Sequence, residues 1–323
     1  MVQELCTLEE WRASDLVLLD VREEDECSFV LACDRVVHIP WSQQKARSHE
    51  YPSRNTAFGV LCPRSYAKAM EQIEWLTSET IHTRQLPWRL LSFYIVDSKD
   101  VQEEAIILGL TEKEKKMYPH PRLWSPNALL YSLVPIVIAT KTPLDCAIVD
   151  LGCGSGRDIM YFAEEMIAKD KKMRYIGVDH NRNGRKKALD FASRRGIGDA
   201  FSFVKMDLNE PELLLNHSFG QVQCFFGCRY LNRSLFPVVQ TLLPPNGIFG
   251  WMHFCMPPDG SEWRWQHPSK SADILQNREL YELFKSTFEI LVDLIEYDTD
   301  HGRPMNLFIA RKHDHERIDE GHN

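Results

Sequence analysis

The sequence lacks the features that would place it in several large functional classes. Its nine cysteines are an odd number without paired spacing, and Cys224-x-x-x-Cys228 and Cys27 to Cys33 have no matching second pair. A disulfide scaffold and a zinc site are therefore not expected, no metal is assigned, and reduced thiols suit a cytoplasmic setting with nuclear entry left open. The longest greasy segment, Ala128 to Thr140, carries Pro135 and is too short to span a bilayer, so no membrane association is expected. The opening Met1-Val-Gln-Glu-Leu-Cys has no basic start followed by a long apolar run, so no secretory signal is expected. Positive charge is not in excess either. A formal net charge of −8 leaves no broad surface for nucleic acid or anionic membrane. The lysines of Thr111-Glu-Lys-Glu-Lys-Lys are interleaved with glutamates and read as a solvated helix or linker. There is no catalytic triad, no His-Glu-x-x-His, no internal repeat and no low-complexity segment.

What is present is a globular composition, 44% hydrophobic and 26% charged, over 323 residues, which is enough for two domains with real cores. The most informative stretch is Cys146-Ala-Ile-Val-Asp150-Leu-Gly152-Cys153-Gly154-Ser-Gly156-Arg157-Asp158. A short apolar run closes on an acid, three glycines alternate with single residues, and a helical pattern follows at Ile159. Alternating glycines let the backbone turn tightly and let a ligand press against it without meeting a Cβ. The helix behind them offers free N–H groups. No Gly-Lys-Ser/Thr follows, as a phosphate-gripping loop would need, and Arg157 stands where a dinucleotide fingerprint needs glycine.

Two further strand-like runs close on acids. Arg174 to Asp179 ends 27 positions after Gly152, behind one whole helix, as a β-α-β unit requires. A carboxylate there can hold the two hydroxyls of a ribose, because ligands sit outside the carboxyl ends of parallel strands. Phe201 to Leu208 is the third strand. For both acids, Asp179 and Asp207, the competing role is to cap the helix that follows. Gln221 to Cys228 and Gly247 to Phe254 read as the fourth and fifth strands, Asn127 to Ile138 as a buried helix, and Asn181 to Arg195 as a crossover helix with a solvent face.

The G-x-G-x-G spacing after Asp150 resembles motif I of the class I S-adenosylmethionine-dependent methyltransferases. That resemblance implies an α/β, Rossmann-like seven-stranded sheet and S-adenosyl-L-methionine as cofactor. The residues it implies for cofactor binding are Asp150, Gly152, Cys153, Gly154, Gly156, Arg157, Asp179, His180, Asp207 and Leu208, with Asp207 on the adenine amino group and Leu208 against the ring. The Asp/Asn-Pro-Pro-Tyr expected of enzymes methylating nucleic-acid bases or glutamine is missing. In its place stands Arg229-Tyr230-Leu-x-Arg233, followed by His267-Pro268, Leu275-x-x-x-Glu279-Leu280 and Gly302-Arg303-Pro304, which together resemble the tellurite-resistance, small-molecule branch.

The first hundred residues resemble a rhodanese domain. Leu16-Val-Leu-Leu-Asp20-Val-Arg22 ends on an Asp-x-Arg whose side chains can pair, and Arg35-Val-Val37-His38-Ile-Pro40 follows, with valine where the family has glycine. Cys62 stands where that family carries sulfur. Only Pro63 separates it from Arg64-Ser65, so the cradle of N–H groups a persulfide needs is absent, and an inactive domain is expected. The expected organisation is therefore a rhodanese-like α/β domain over 1–105, a linker over 106–126, a methyltransferase domain over 127–312 and a polar tail over 313–323.

Methyl transfer from a sulfonium is an in-line displacement at an activated carbon. It needs a nucleophile held about 3 Å away and water kept out. The expected acceptor is a small molecule, possible forms being a thiol or another chalcogen nucleophile, with Arg229 and Tyr230 as catalytic candidates and His253, His267 and Arg303 as further lining. The alternatives are a tRNA or other nucleic-acid methyltransferase, which the acidic balance opposes, a non-catalytic scaffold with inherited folds, and an active sulfurtransferase. Oligomeric state does not follow from the sequence.

Overall fold

The computed structural model describes residues 3–4, 7–27, 31, 34–63, 65–78, 87–95, 98–110, 121–140, 145–299 and 301–314. The expectations for Cys33, Arg64, the 111–120 lysine run and most of the polar tail lie outside them. The chain divides into two compact units, Met1–Ser125 and Pro126–Asn323.

In the first unit, strands β1 (Gln3–Glu4), β2 (Val17–Asp20), β3 (Val36–His38), β4 (Phe58–Cys62) and β5 (Leu90–Ile95) form a parallel sheet in the order β1-β5-β4-β2-β3. Helices α1 (Leu8–Ala13), α2 (Tyr66–Thr77) and α3 (Ser98–Ile107) accompany it. Its central strands are apolar almost throughout because a parallel sheet is covered on both faces: all five residues of β4 are buried. Asp20 and Arg22 meet at the end of β2, Nε to Oδ1 at 2.9 Å and Nη2 to Oδ2 at 2.7 Å. Helix α3 runs to Ile107, and Ala105 and Leu110 are buried in this unit's core with Leu8, Trp11 and Leu61. The leucines after the charged stretch have apolar partners that spacing alone does not reveal.

In the second unit, helix α4 (Ala128–Ala139) precedes strands β6 (Ala147–Leu151), β7 (Arg174–Asp179), β8 (Phe201–Lys205), β9 (Val222–Cys228), β10 (Ile248–Phe254), β11 (Phe288–Tyr297) and β12 (Pro304–Lys312). The connecting helices are α5 (Arg157–Ile167), α6 (Arg182–Arg194), α7 (Pro211–Asn216), α8 (Leu235–Leu242) and α9 (Glu279–Phe284). The seven strands lie in the order β11-β12-β10-β9-β6-β7-β8. β6 to β10 are mutually parallel, while β12 runs antiparallel to β10 and to β11. One face of this sheet is closed by stacked rings, with Phe249 and Phe284 at 4.5 Å and Phe236 edge-on to Trp251. Among the described residues no helix is long and apolar enough to cross a membrane.

Strand order reverses between β6 and β9: one crossover from β6 leads outward to β7 and β8, while β9 starts the opposite half. The loops leaving the carboxyl ends of these two strands part at that point and leave a crevice. Residues 152–156 and 229–234 occupy it.

Candidate active site

The loop after β6 is built on left-handed backbone. Gly152, Gly154 and Gly156 have φ of +83°, +54° and +81°, a conformation costing a side-chain-bearing residue about 1–2 kcal/mol. Its amides at Gly152 and Cys153 both reach the Val178 carbonyl, at 2.8 and 3.2 Å, so the turn is stitched to β7. A Cβ built on Gly154 would meet nothing within 4 Å, whereas one on Gly152 would stand 3.1 Å from Tyr230 Cβ. The cradle is thus open at its middle glycine and covered at its first. Gly156 is the N-cap of α5 and offers no side-chain cap, leaving helix N–H groups available to a ligand.

Asp179, the last residue of β7, faces this loop. Its Oδ2 accepts the Gly154 N–H at 2.9 Å and its Oδ1 accepts the Asn181 N–H at 2.8 Å. Each oxygen retains a lone pair for a hydroxyl. His180 is exposed, its Nδ1 3.6 Å from Asp179 Oδ1. Asp150 is only 3% exposed, and burial, then Asp158, then Asp179 push its carboxyl well above the ordinary range. Burial also raises Asp158, against the Asn127 N–H at 2.9 Å, Arg157, Cys228 and Arg229. The Cys228 thiol is pushed well up by burial and then by Asp158. Arg157 is lowered by desolvation, with the Asp158 charge opposing this and the like charge of Arg229 adding to it. The site is therefore a patch of enclosed acids with two guanidinium groups at one end.

The structure brings the glycines, Asp150, Arg157, Asp179 and His180 together around this loop, whereas the side chains of Cys153 and Leu208 turn elsewhere. Cys153 turns its thiol away from the open face: a Cβ on Gly177 would lie 2.7 Å from its Sγ, so it packs against β7 and offers the loop only backbone. Leu208 is 3% exposed and belongs to the hydrophobic core with Met206, Leu214 and Phe236, so its side chain does not supply a ring-facing wall. β8 also stops at Lys205, short of the expected Leu208. Asp207 accepts the Asn209 N–H and Nδ2, both at 2.9 Å, the local turn that capping chemistry predicts. It lines a cavity of about 790 Å³ with His180, Val204, Lys205, Met206 and His217.

Several polar and aromatic side chains near the expected acceptor end are held by other parts of the fold. Arg233 grips Glu279 with Nε and Nη2 and donates to the carbonyls of Ala272 and Ile274, clamping the β9 loop to the segment before α9. Arg303 pairs with Asp298 through Nε at 2.8 Å and Nη2 at 2.6 Å, and donates to the His267 carbonyl. His253 is buried on β10 with Nε2 2.9 Å from the Asp273 carbonyl, and desolvation keeps it neutral. The Trp263 and Trp265 rings lie 4.8 Å apart, and their indole N–H groups donate to Pro268 and His301 carbonyls. Arg229 differs. It is exposed, left-handed at φ +57°, and anchored only by its amide to the Met252 carbonyl at 2.8 Å. Among the described residues its guanidinium makes no hydrogen bond or ion pair.

Asp158, Cys228 and Asn232 join the site without having been singled out from the sequence. An acid in a helix's first turn reads as ordinary dipole compensation, and Cys228 as an end-of-strand apolar residue. In the first unit, Cys62 is fully buried at the end of β4, with burial pushing its thiol to about 12. The one candidate metal-ligating group among the described residues is Asp20, Cys27 and His38, with Cys27 Sγ 3.7 Å from His38 Nε2. Arg22 already occupies both oxygens of Asp20, and His38 Nε2 sits 2.8 Å from the Arg22 carbonyl.

Comparison with known proteins agrees with this geometry. Residues 148–247 match the family model described as a methyltransferase domain. That match places a methyltransferase domain within the second unit. No curated protein matches the chain. Solved structures with similarity include TehB from Haemophilus influenzae, at 20% identity and TM-score 0.42, covering 55% of this chain and 61% of that one. Another is the Burkholderia thailandensis 1,6-didemethyltoxoflavin-N1-methyltransferase, at 20% identity and TM-score 0.42, covering 58% and 79%. A third is the geranyl diphosphate C-methyltransferase of Streptomyces coelicolor A3(2), at 16% and 0.44, covering 57% and 78%.

Proposed function

We propose that the chain is an S-adenosylmethionine-dependent methyltransferase whose acceptor is a small anionic nucleophile of the thiolate or chalcogenolate type. The observation that carries this reading is Arg229, an exposed cation at the carboxyl end of β9 without a partner among the described residues, next to Arg157 and the enclosed Asp158. When bound, S-adenosylmethionine supplies a methyl group already activated on a sulfonium. The open face at Gly154 and the lone pairs of Asp179 fit its adenosyl part, and a cationic ligand would favour the ionised form of Asp150 and Asp158, whose carboxyls burial otherwise raises. Arg229 attracts the anion and holds it at the mouth of the crevice. A soft anion needs no proton removed, which agrees with the role of His253 as a core residue.

The same reading takes the first unit as a rhodanese-like domain that does not transfer sulfur, ending near residue 125, with the methyltransferase domain over 127–312. The parallel sheet and the Asp20–Arg22 pair support the likeness, and the buried, protonated Cys62 supports inactivity.

The test is incubation with methyl-labelled S-adenosylmethionine and a panel of thiols, sulfide, selenide and tRNA. Label is expected in the small chalcogen compounds; label in tRNA alone would overturn the reading. Arg229→Ala is expected to lower turnover about 10²-fold with S-adenosylhomocysteine affinity unchanged.

A further inference from the structure

Tyr230 has a place in the crevice that a catalytic role does not explain. Its Cβ, Cγ and Cδ2 lie 3.1, 3.2 and 3.6 Å from the point a Gly152 Cβ would occupy, so the side chain lies against the first glycine of the cradle. Two residues on, Asn232 Nδ2 donates to the Leu208 carbonyl at 2.8 Å, which ties this segment to the residue after Asp207. The segment therefore bridges from Gly152 to the end of β8, across the side of the crevice where Asp179 and Asp207 stand. The turn that sends it there is the left-handed Arg229, strain of the sort kept where the surroundings fix a functional side chain. Finally, the Tyr230 hydroxyl is buried with the Asn232 side chain beside it, yet makes no hydrogen bond of good geometry among the described residues. A buried hydroxyl left unpaired calls for an explanation, and a bound ligand is one.

We propose that Tyr230 is a cofactor residue: its ring is the wall on which the adenosine part of S-adenosylmethionine packs, and its hydroxyl is satisfied by that ligand. This rests on the methyltransferase reading and replaces the expected roles of two residues. Tyr230 leaves the catalytic set, and it takes over the ring-facing position that Leu208, sunk in the core, does not fill. Burial, followed by the charge of Asp207, raises the Tyr230 phenol, so it stays a neutral donor across the working range. An aromatic face suits a purine because stacking is tolerant of exact placement and stronger than aliphatic contact.

Calorimetry with the full chain separates the possibilities, using S-adenosylhomocysteine and 5′-deoxy-5′-methylthioadenosine, which keeps the adenosine and lacks the amino-acid end. Tyr230→Ala is expected to weaken both ligands by the same factor, about 10- to 100-fold. Tyr230→Phe should weaken both by about 3- to 10-fold, and Tyr230→Trp should stay closer to wild type than Tyr230→Leu, which fills the space on Gly152 without a π face. If Tyr230→Ala does not fold, the comparison of Phe, Trp and Leu variants carries the test. Unchanged affinity in Tyr230→Ala or Tyr230→Leu, or loss of S-adenosylhomocysteine binding without loss for the methylthio compound, would overturn the assignment of the ring to adenosine. A wild-type chain that binds neither ligand would instead overturn the cofactor assignment, and this proposal with it.

Discussion

The Gly154 amide donates to the Asp179 carboxylate at 2.9 Å, so the glycine cradle and the end of β7 form one continuous surface. The bond crosses from one parallel strand's exit loop to the next and sets the distance between backbone and carboxylate that a nucleoside must bridge. Asp179→Ala removes the acceptor for both the Gly154 and Asn181 amides. Weakening of S-adenosylhomocysteine binding by about 10- to 100-fold is expected by calorimetry, as for loss of a charge-assisted bond. Asp179→Asn should fall between this variant and wild type.

The first two glycines of the loop should respond differently to alanine. Both are left-handed, but Gly154 faces open space and Gly152 faces Tyr230. Gly154→Ala is expected to cost about 1–2 kcal/mol of stability from backbone strain and to impair ligand binding as well. Gly152→Ala adds a collision with the tyrosine and should destabilise more, by about 2–4 kcal/mol. Urea titrations of both variants check the order; equal losses would contradict the packing of Tyr230 on Gly152.

Asp150 gives a pH dependence with a definite sign. Burial holds its folded-state pKa well above that of the unfolded chain, so the folded form keeps its proton to higher pH. Its contribution to stability is full below the unfolded carboxylate value of about 3.9 and is lost as pH rises through the folded value. Asp150→Asn cannot ionise, so its stability relative to wild type should improve as pH is raised from about 4 toward neutrality. Urea midpoints across that range measure this, and a constant difference would mean that the carboxyl is not held up by burial.

Cys62 should be inert. With its thiol raised to about 12 and no exposed surface, it carries almost no thiolate near pH 8. Mass-spectrometric mapping after iodoacetamide treatment is expected to find Cys62 unmodified in the folded protein and modified once denatured. Rapid native labelling would reopen sulfur transfer.

Arg233 is expected to matter for stability. Its clamp on Glu279 and two carbonyls joins the β9 loop to the segment before α9. Because the side chain is 40% exposed, solvent screening limits the loss in Arg233→Ala to about 1–2 kcal/mol. S-adenosylhomocysteine affinity should change little, in contrast to the Asp179 and Tyr230 variants.

The sequence by itself determined the strands whose boundaries are chemical events. β7 closes on Asp179 as expected, β6 runs into alternating glycines, and α6 begins at Asn181, whose Oδ1 caps its first turn. These are local: an apolar run, a residue tolerant of left-handed backbone and a cap depend on neighbours a few positions away. The likeness to methyltransferases followed from that local pattern. What only the tertiary structure decided is which way side chains face once seven strands are packed. Cys153 and Leu208 sit within the expected motif, yet packing sends the thiol onto Gly177 and the leucine into the core. Arg229 and Arg233 are four residues apart and look alike in sequence. Among the described residues one has no partner and the other is taken by Glu279, because that acid arrives from 46 positions away. Such pairings follow from where the sheet brings distant segments together, and no local pattern carries that information.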